Sequence, residues 1–233
     1  MMRRNVFALA GGAALLAVYV LLVRPRLEVP AEKSVLEEYD GLPLKAHELL
    51  ADVPLHSLAC DSLPGGRKGM NILEIQQAAG MADMEKIEVG TASKLLFDAR
   101  AAVGRMMGWD EVPELNREIT YLSRVTEDER RRSLVPPGEV RGIGRVLYCF
   151  EREMLLEIIN KTVHCFWAAA LNETRTGYAL YNAVYVKRLN WRTPIYMALI
   201  SPVLNWIIYP AMGRSMRRSW RKSFPHRPDT LRA

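Results

Sequence analysis

Apolar and polar positions change their rhythm three times along the chain. Residues 5–23 form an uncharged, mostly apolar run, preceded by Arg3 and Arg4 and followed by Arg24 and Arg26. A helix of that length rises about 28 Å, close to a bilayer's hydrocarbon thickness of about 30 Å. Residues 1–26 are therefore expected to be a transmembrane signal-anchor. A cleaved signal peptide is the competing reading, but the run is longer than the usual core and its exit lacks a small-residue cleavage site. The basic flanks are nearly balanced and do not orient the anchor. Three widely spaced cysteines, Cys60, Cys149 and Cys165, make no disulfide framework and lean the domain toward a cytoplasmic side.

Beyond a tether at residues 27–50, the pattern predicts one domain over residues 51–224 and a basic disordered tail at 225–233. Alternation over residues 53–59 predicts a strand, closed by the turn residues Pro64-Gly65-Gly66. A helix is expected over 71–79, stopped by Gly80, and another over 93–107, where Leu96, Ala99, Val103 and Met106 recur at helical spacing. Residues 110–145 are densely charged and proline-bearing, which predicts a mostly exposed connector containing one short helix behind the capping box Thr126-x-x-Glu129.

From residue 145 the texture turns to β. Branched and aromatic residues fill 145–150, 154–159, 162–171 and 177–187, separated by short polar turns, so an antiparallel meander is expected. On the last two strands both faces are largely apolar; each side must be covered, or one must line an apolar cavity. The cover is sought after Thr193-Pro194, a helix start followed by Tyr196, Met197, Ile200, Leu204, Ile207 and Ile208 in register. Residues 195–212 carry no charge, so a helix packed on the sheet, one lying on the bilayer and a second span are all compatible with them.

Charge sharpens the picture at one end only. The net charge is +6, and residues 214–233 hold seven basic side chains and one acid, which is the whole excess. Arg214, Arg217, Arg218, Arg221 and Lys222, following an apolar helix, are expected to contact anionic lipid headgroups. No basic face belongs to the rest of the domain, so nucleic acid is not an expected partner. Phosphate-loop and dinucleotide glycine spacings are missing, metal-ligand spacing is missing, and no nucleophile elbow occurs, so no cofactor is expected. Cys149 and Cys165 could neighbour each other across strands.

The order of elements, a strand, helices, an antiparallel meander and a long last helix, resembles the helix-grip proteins of START and Bet v 1-like fold. The stretches Leu96-Phe97-Asp98-Ala99-Arg100, Arg145-Val146-Leu147-Tyr148, Asn160-Lys161-Thr162-Val163-His164, Tyr181-Asn182-Ala183-Val184-Tyr185-Val186 and Thr193-Pro194-Ile195-Tyr196 resemble an uncharacterised bacterial family assigned to that fold. The resemblance implies an α+β, helix-grip antiparallel sheet wrapped on a C-terminal helix, with a cavity between them that relatives in the wider fold use for lipids and other hydrophobic small molecules. His164, Tyr181, Asn182 and Tyr185 are the polar residues expected to meet such a ligand, His164 because imidazole can donate or accept a proton near neutral pH. Three functions follow as expectations: a membrane-anchored protein binding a lipid or other apolar molecule, a cyclase- or isomerase-like enzyme using His164 and a tyrosine, or a non-catalytic membrane interaction or assembly protein.

Overall fold

A computed structural model describes residues 33–81, 120–142, 144–159, 163–189 and 204–225, with isolated positions between 193 and 201. The anchor at 5–23, the helix expected over 93–107 and the tail beyond 225 lie outside the described residues. The described chain is α+β: a six-stranded sheet, helices on both of its faces, and a C-terminal helix.

In chain order the elements are α1 (Lys33–Asp40), α2 (Lys45–Leu49), β1 (Leu55–Pro64), α3 (Ile72–Ala78), a 3-10 turn (Tyr121–Arg124), α4 (Glu127–Arg132), β2 (Val140–Arg141), β3 (Gly144–Cys149), β4 (Glu153–Ile159), β5 (His164–Thr174), β6 (Gly177–Lys187), a π turn (Leu204–Ile208) and α5 (Tyr209–Ser223). Strand order is β1-β6-β5-β4-β3-β2, antiparallel throughout. Strands β3 to β6 thus form the expected meander, the short β2 extends it, and β1 closes its far side by pairing with the last strand. Local chemistry sets the boundaries. Asn71 and Glu74 cap α3 reciprocally, Gly80 ends it at φ +71°, and Thr126 and Glu129 form the expected capping box of α4.

Because a strand's side chains alternate between faces, the doubly apolar β5 and β6 supply two cores. On one face Leu63, Val146, Leu156, Ala169, Tyr178 and Leu180 meet Ile72 and Ile75 of α3 and Met216 and Trp220 of α5. On the other, Leu147, Leu155, Phe166, Ala168, Tyr181 and Tyr185 meet Tyr39, Ala46, Leu49, Leu50, Tyr121 and Val125. One expectation is corrected here. Residues 33–50 are not a tether, since Tyr39 is fully buried and α1 and α2 cover the sheet. The mostly exposed connector after Thr120 sends Tyr121, Val125 and Val135 into these cores. The 33–50 segment was misread because its apolar residues are interleaved with charges and interrupted by Pro43.

The π turn leads directly into α5, and Pro210 sits in that helix's first turn. Proline brings no N–H to the helical ladder, so a local change of helix type at this point relieves the missing bond. Among the described residues no helix is long and apolar enough to cross a membrane. Cys149 lies opposite Met154 and Cys165 opposite Ile158, at the two ends of β4, so the suggested neighbourhood of the two thiols is also corrected.

The turn between β5 and β6 depends on Gly177. Its φ is +152°, and a Cβ there would lie 2.2 Å from the Leu63 carbonyl oxygen on β1. Gly177→Ala is therefore expected to destabilise the fold by about 2 to 4 kcal/mol, read by denaturant unfolding, through both backbone strain and the clash.

Candidate functional site

Three strands, the end of α3 and α5 frame a half-open cavity of about 310 Å3 on the α5 side of the sheet. Its floor follows from the register. Ser57 lies opposite Val184 and Ala59 opposite Asn182 on β1 and β6, while Trp167 of β5 lies opposite Val184. Its roof is the first half of α5, with Tyr209, Met212, Gly213, Met216 and Arg217.

The helix is held down elsewhere. Trp220 donates its indole N–H to the Pro64 carbonyl at 2.9 Å and packs against Phe224 at 4.6 Å, and the Ser223 hydroxyl donates to Ala78 of α3 at 3.0 Å. Large side chains fill the space under this second half. Under the first half the floor residues Ser57 and Ala59 are small and Gly213 has no side chain, so the layer separation leaves room. Gly213 has a further role: a Cβ there would come within 3.2 Å of the Arg217 guanidinium and 3.4 Å of the Asp61 carboxylate. Its absence lets Arg217 reach across to pair with Asp61.

Most of the lining is apolar, with a few polar groups. The Asn182 amide oxygen is buried and has no hydrogen-bond partner among the described residues. Burial pushes the Tyr209 phenol up to about 12, opposed by its hydrogen bond with Ser57. Burial also raises the Asp61 carboxyl above its ordinary range, against the pull of Arg217. Such a space can hold an apolar body and offer an acceptor at one point along it.

Of the residues expected to meet a ligand, only Asn182 lines this cavity. His164, Tyr181 and Tyr185 point to the opposite face. Tyr185 shares a hydrogen bond with Tyr39 at 3.1 Å, and Tyr181 donates to Glu38 at 2.8 Å, so both tie α1 to the sheet. His164 contacts Glu157 at 2.8 Å, and both side chains are 1% exposed. Ser57, Trp167, Tyr209 and the Asp61–Arg217 pair were not anticipated. A small residue on a strand and a polar residue in a helix carry no sequence signal for a void until the layers are stacked.

Sequence reading also missed a pair of carboxylates on the opposite face. Glu153 and Glu157 stand four apart on β4, hence on one side of the strand. Glu153 accepts hydrogen bonds from the backbone N–H groups of Lys45 and Ala46 at 2.8 and 3.3 Å and from the Tyr148 hydroxyl at 3.1 Å. Leu44, at the N-cap of α2, makes no side-chain cap bond, so a strand residue 108 positions beyond Lys45 does that work. Glu157 likewise receives the Tyr121 N–H at 2.8 Å and the Thr120 hydroxyl at the start of the 3-10 turn. Around it Tyr121 donates to Asp52 at 2.9 Å, Lys187 donates to the Tyr121 hydroxyl at 3.0 Å, and Arg124 lies 3.6 Å over the Tyr121 ring. The network is buried at Glu157 and His164 and reaches the surface through Asp52, Arg124 and Lys187; what it can do is hold segments together.

Glu157→Ala is expected to lower stability by about 3 to 5 kcal/mol, because it leaves His164, Thr120 and the Tyr121 N–H without their acceptor in a buried site. Thermal and denaturant unfolding of the variant check this. At acid pH the network has a second signature. The Asp52 carboxyl is pulled down from 3.8 to about 2, chiefly by its hydrogen bond with Arg124. The folded chain keeps this group ionised where the unfolded chain has bound a proton, so stability present above 3.8 is lost as pH falls toward about 2. The stability gap between the parent and Asp52→Asn should therefore narrow over that window in pH-resolved unfolding.

No match was found among curated proteins or among solved structures. A family match runs from residue 62 in β1 to residue 211 in α5, more than half of the chain. The chain belongs to the family described as "Protein of unknown function (DUF2867)".

Proposed function

We propose that this protein binds a hydrophobic small molecule between the sheet and α5, in the manner of the helix-grip proteins, and that residues 5–23 anchor it to a membrane. The observation that carries the reading is the cavity itself. Its volume of about 310 Å3 reaches the lower end of small-molecule sites, roughly 300 to 1,000 Å3. Its lining, Trp167, Val184, Met212 and Met216 with Asn182 among them, is the mixture such sites use: apolar surface for affinity and a placed polar group for orientation. The strand order supports the helix-grip assignment, with the first strand beside the last and the C-terminal helix on one face.

The enzymatic alternative has little to support it. His164, its intended acid or base, is committed to Glu157 on the far side of the sheet. A second copy of the acid–base arrangement is not found among the cavity's lining residues, where Asp61 is paired with Arg217 and Tyr209 with Ser57.

Solvent extraction of the purified full chain, followed by mass spectrometry, is expected to release an apolar molecule in near-stoichiometric amount. The neutral fluorophore N-phenylnaphthylamine should bind, and Ala59→Phe, which grows a ring from the cavity floor, should weaken that binding at least tenfold without lowering the melting temperature. An empty extract together with no fluorophore binding would sink the proposal.

A further inference from the structure

The mouth of the cavity opens onto an unneutralised row of cations. Arg217 lines the cavity and also belongs to an open, solvent-facing patch of α5 with Arg214, Arg218, Arg221 and Lys222. Arg217 is occupied by Asp61. The other four are exposed and have no acidic partner among the described residues. The helix dipole accounts for Arg221 and Lys222, which lie in the last turn of α5, where positive charge is favoured. It does not account for Arg214 and Arg218. These stand in the interior of the helix, beyond the turns where the dipole acts, and four apart they are like-charged neighbours on one face, an arrangement that works against the helix. A bound anion would remove that repulsion, and guanidinium groups suit an oxyanion because they present paired N–H donors in a plane.

We propose that the ligand of the cavity is an anionic amphiphile, with its chain among Trp167, Met212 and Met216 and its acidic head held by Arg214 and Arg218 beside the Asp61–Arg217 pair. The proposal rests on the cavity being a binding site. The Asp61–Arg217 pair sets where the chain ends and the head begins, because it holds one guanidinium at the junction of the apolar and basic spaces. A carboxylate and a phosphate monoester meet this requirement equally. A neutral lipid leaves the row of cations as it is.

Displacement of N-phenylnaphthylamine from the purified full chain tests the idea, with dodecanoate, dodecyl phosphate and dodecanol as competitors of equal chain length. Both anions are expected to displace the probe at concentrations at least tenfold below the alcohol. In the Arg214→Gln/Arg218→Gln double variant the anions should fall to within about threefold of the alcohol, whose own value stays unchanged; these two side chains are exposed, and Arg217 is left to hold Asp61. Equal displacement by alcohol and anions in the parent overturns the inference while leaving the cavity reading intact, whereas failure of the probe to bind removes both. Binding to phosphatidylglycerol vesicles that the double variant loses, without any preference for anions in displacement, assigns the cations to a bilayer surface and also overturns it. Where the anion preference holds, removal of a fluorescent phosphatidylglycerol from vesicles identifies a membrane lipid as the ligand's source. Displacement by dodecanoate without such removal identifies a free fatty-acid-like molecule.

Discussion

Two carboxylates buried on one side of a single strand set the conditions for the rest of this fold. An ionised glutamate loses much of its hydration when a sheet face is covered, and it tolerates the loss only if fixed donors replace the water. Glu153 and Glu157 obtain those donors from the free N–H groups at the start of α2 and of the 3-10 turn. The arrangement is reciprocal: the helix starts need acceptors as much as the carboxylates need donors. Segments more than 30 and more than 100 residues away from β4 are thereby required on the same face. Tyr39, Tyr121, Phe166 and Tyr185 then fill the space between the fixed points.

Satisfying that face decides what the other can be. With α1, α2 and the 120–132 segment on one side, free space is left to the α5 side, where one helix and α3 must cover the other face. Trp220 and Phe224 secure the second half of α5, and the small residues under its first half leave the cavity. The two sides of the sheet therefore divide the work: aromatic and ionic contacts knit distant chain segments on one, and a partly filled interlayer space occurs on the other. Had His164 faced α5, the same histidine would have read as a catalytic group; one position of strand parity separates the two roles.

Much of this organisation was legible in the chain. The four meander strands announce themselves by branched and aromatic residues and by their turns, and β6 keeps its expected bounds at Gly177–Lys187. The two-faced apolar pattern of β5 and β6 correctly demanded cover on both sides. The resemblance to helix-grip proteins pointed to a space between the sheet and the last helix. What remained hidden depends on tertiary partners. Tyr39 and Tyr121 sit in stretches dominated by charge, and their burial comes from the sheet they meet. Glu153 and Glu157 were within reach of the strand pattern alone, because two glutamates four apart in an otherwise apolar strand share a face that has to be covered. Which of His164, Tyr181, Asn182 and Tyr185 faces the cavity was a matter of parity, and the consecutive pair Tyr181 and Asn182 could not both face it.

The pairing of the first strand with the last also governs how the chain reaches this structure. Strands β3 to β6 are joined by short turns, so their contacts close small loops. Leu55 pairs with Tyr185 and Pro64 with Gly177, which requires well over a hundred residues to be looped back before the β1–β6 ladder can form. Loop-closure entropy makes such contacts late and slow. The meander is thus the natural nucleus, and until β1 docks, β6 presents an open edge whose backbone groups are available to other chains. Completion of the cavity waits on the same event, because Ser57, Ala59 and Asp61 arrive with β1.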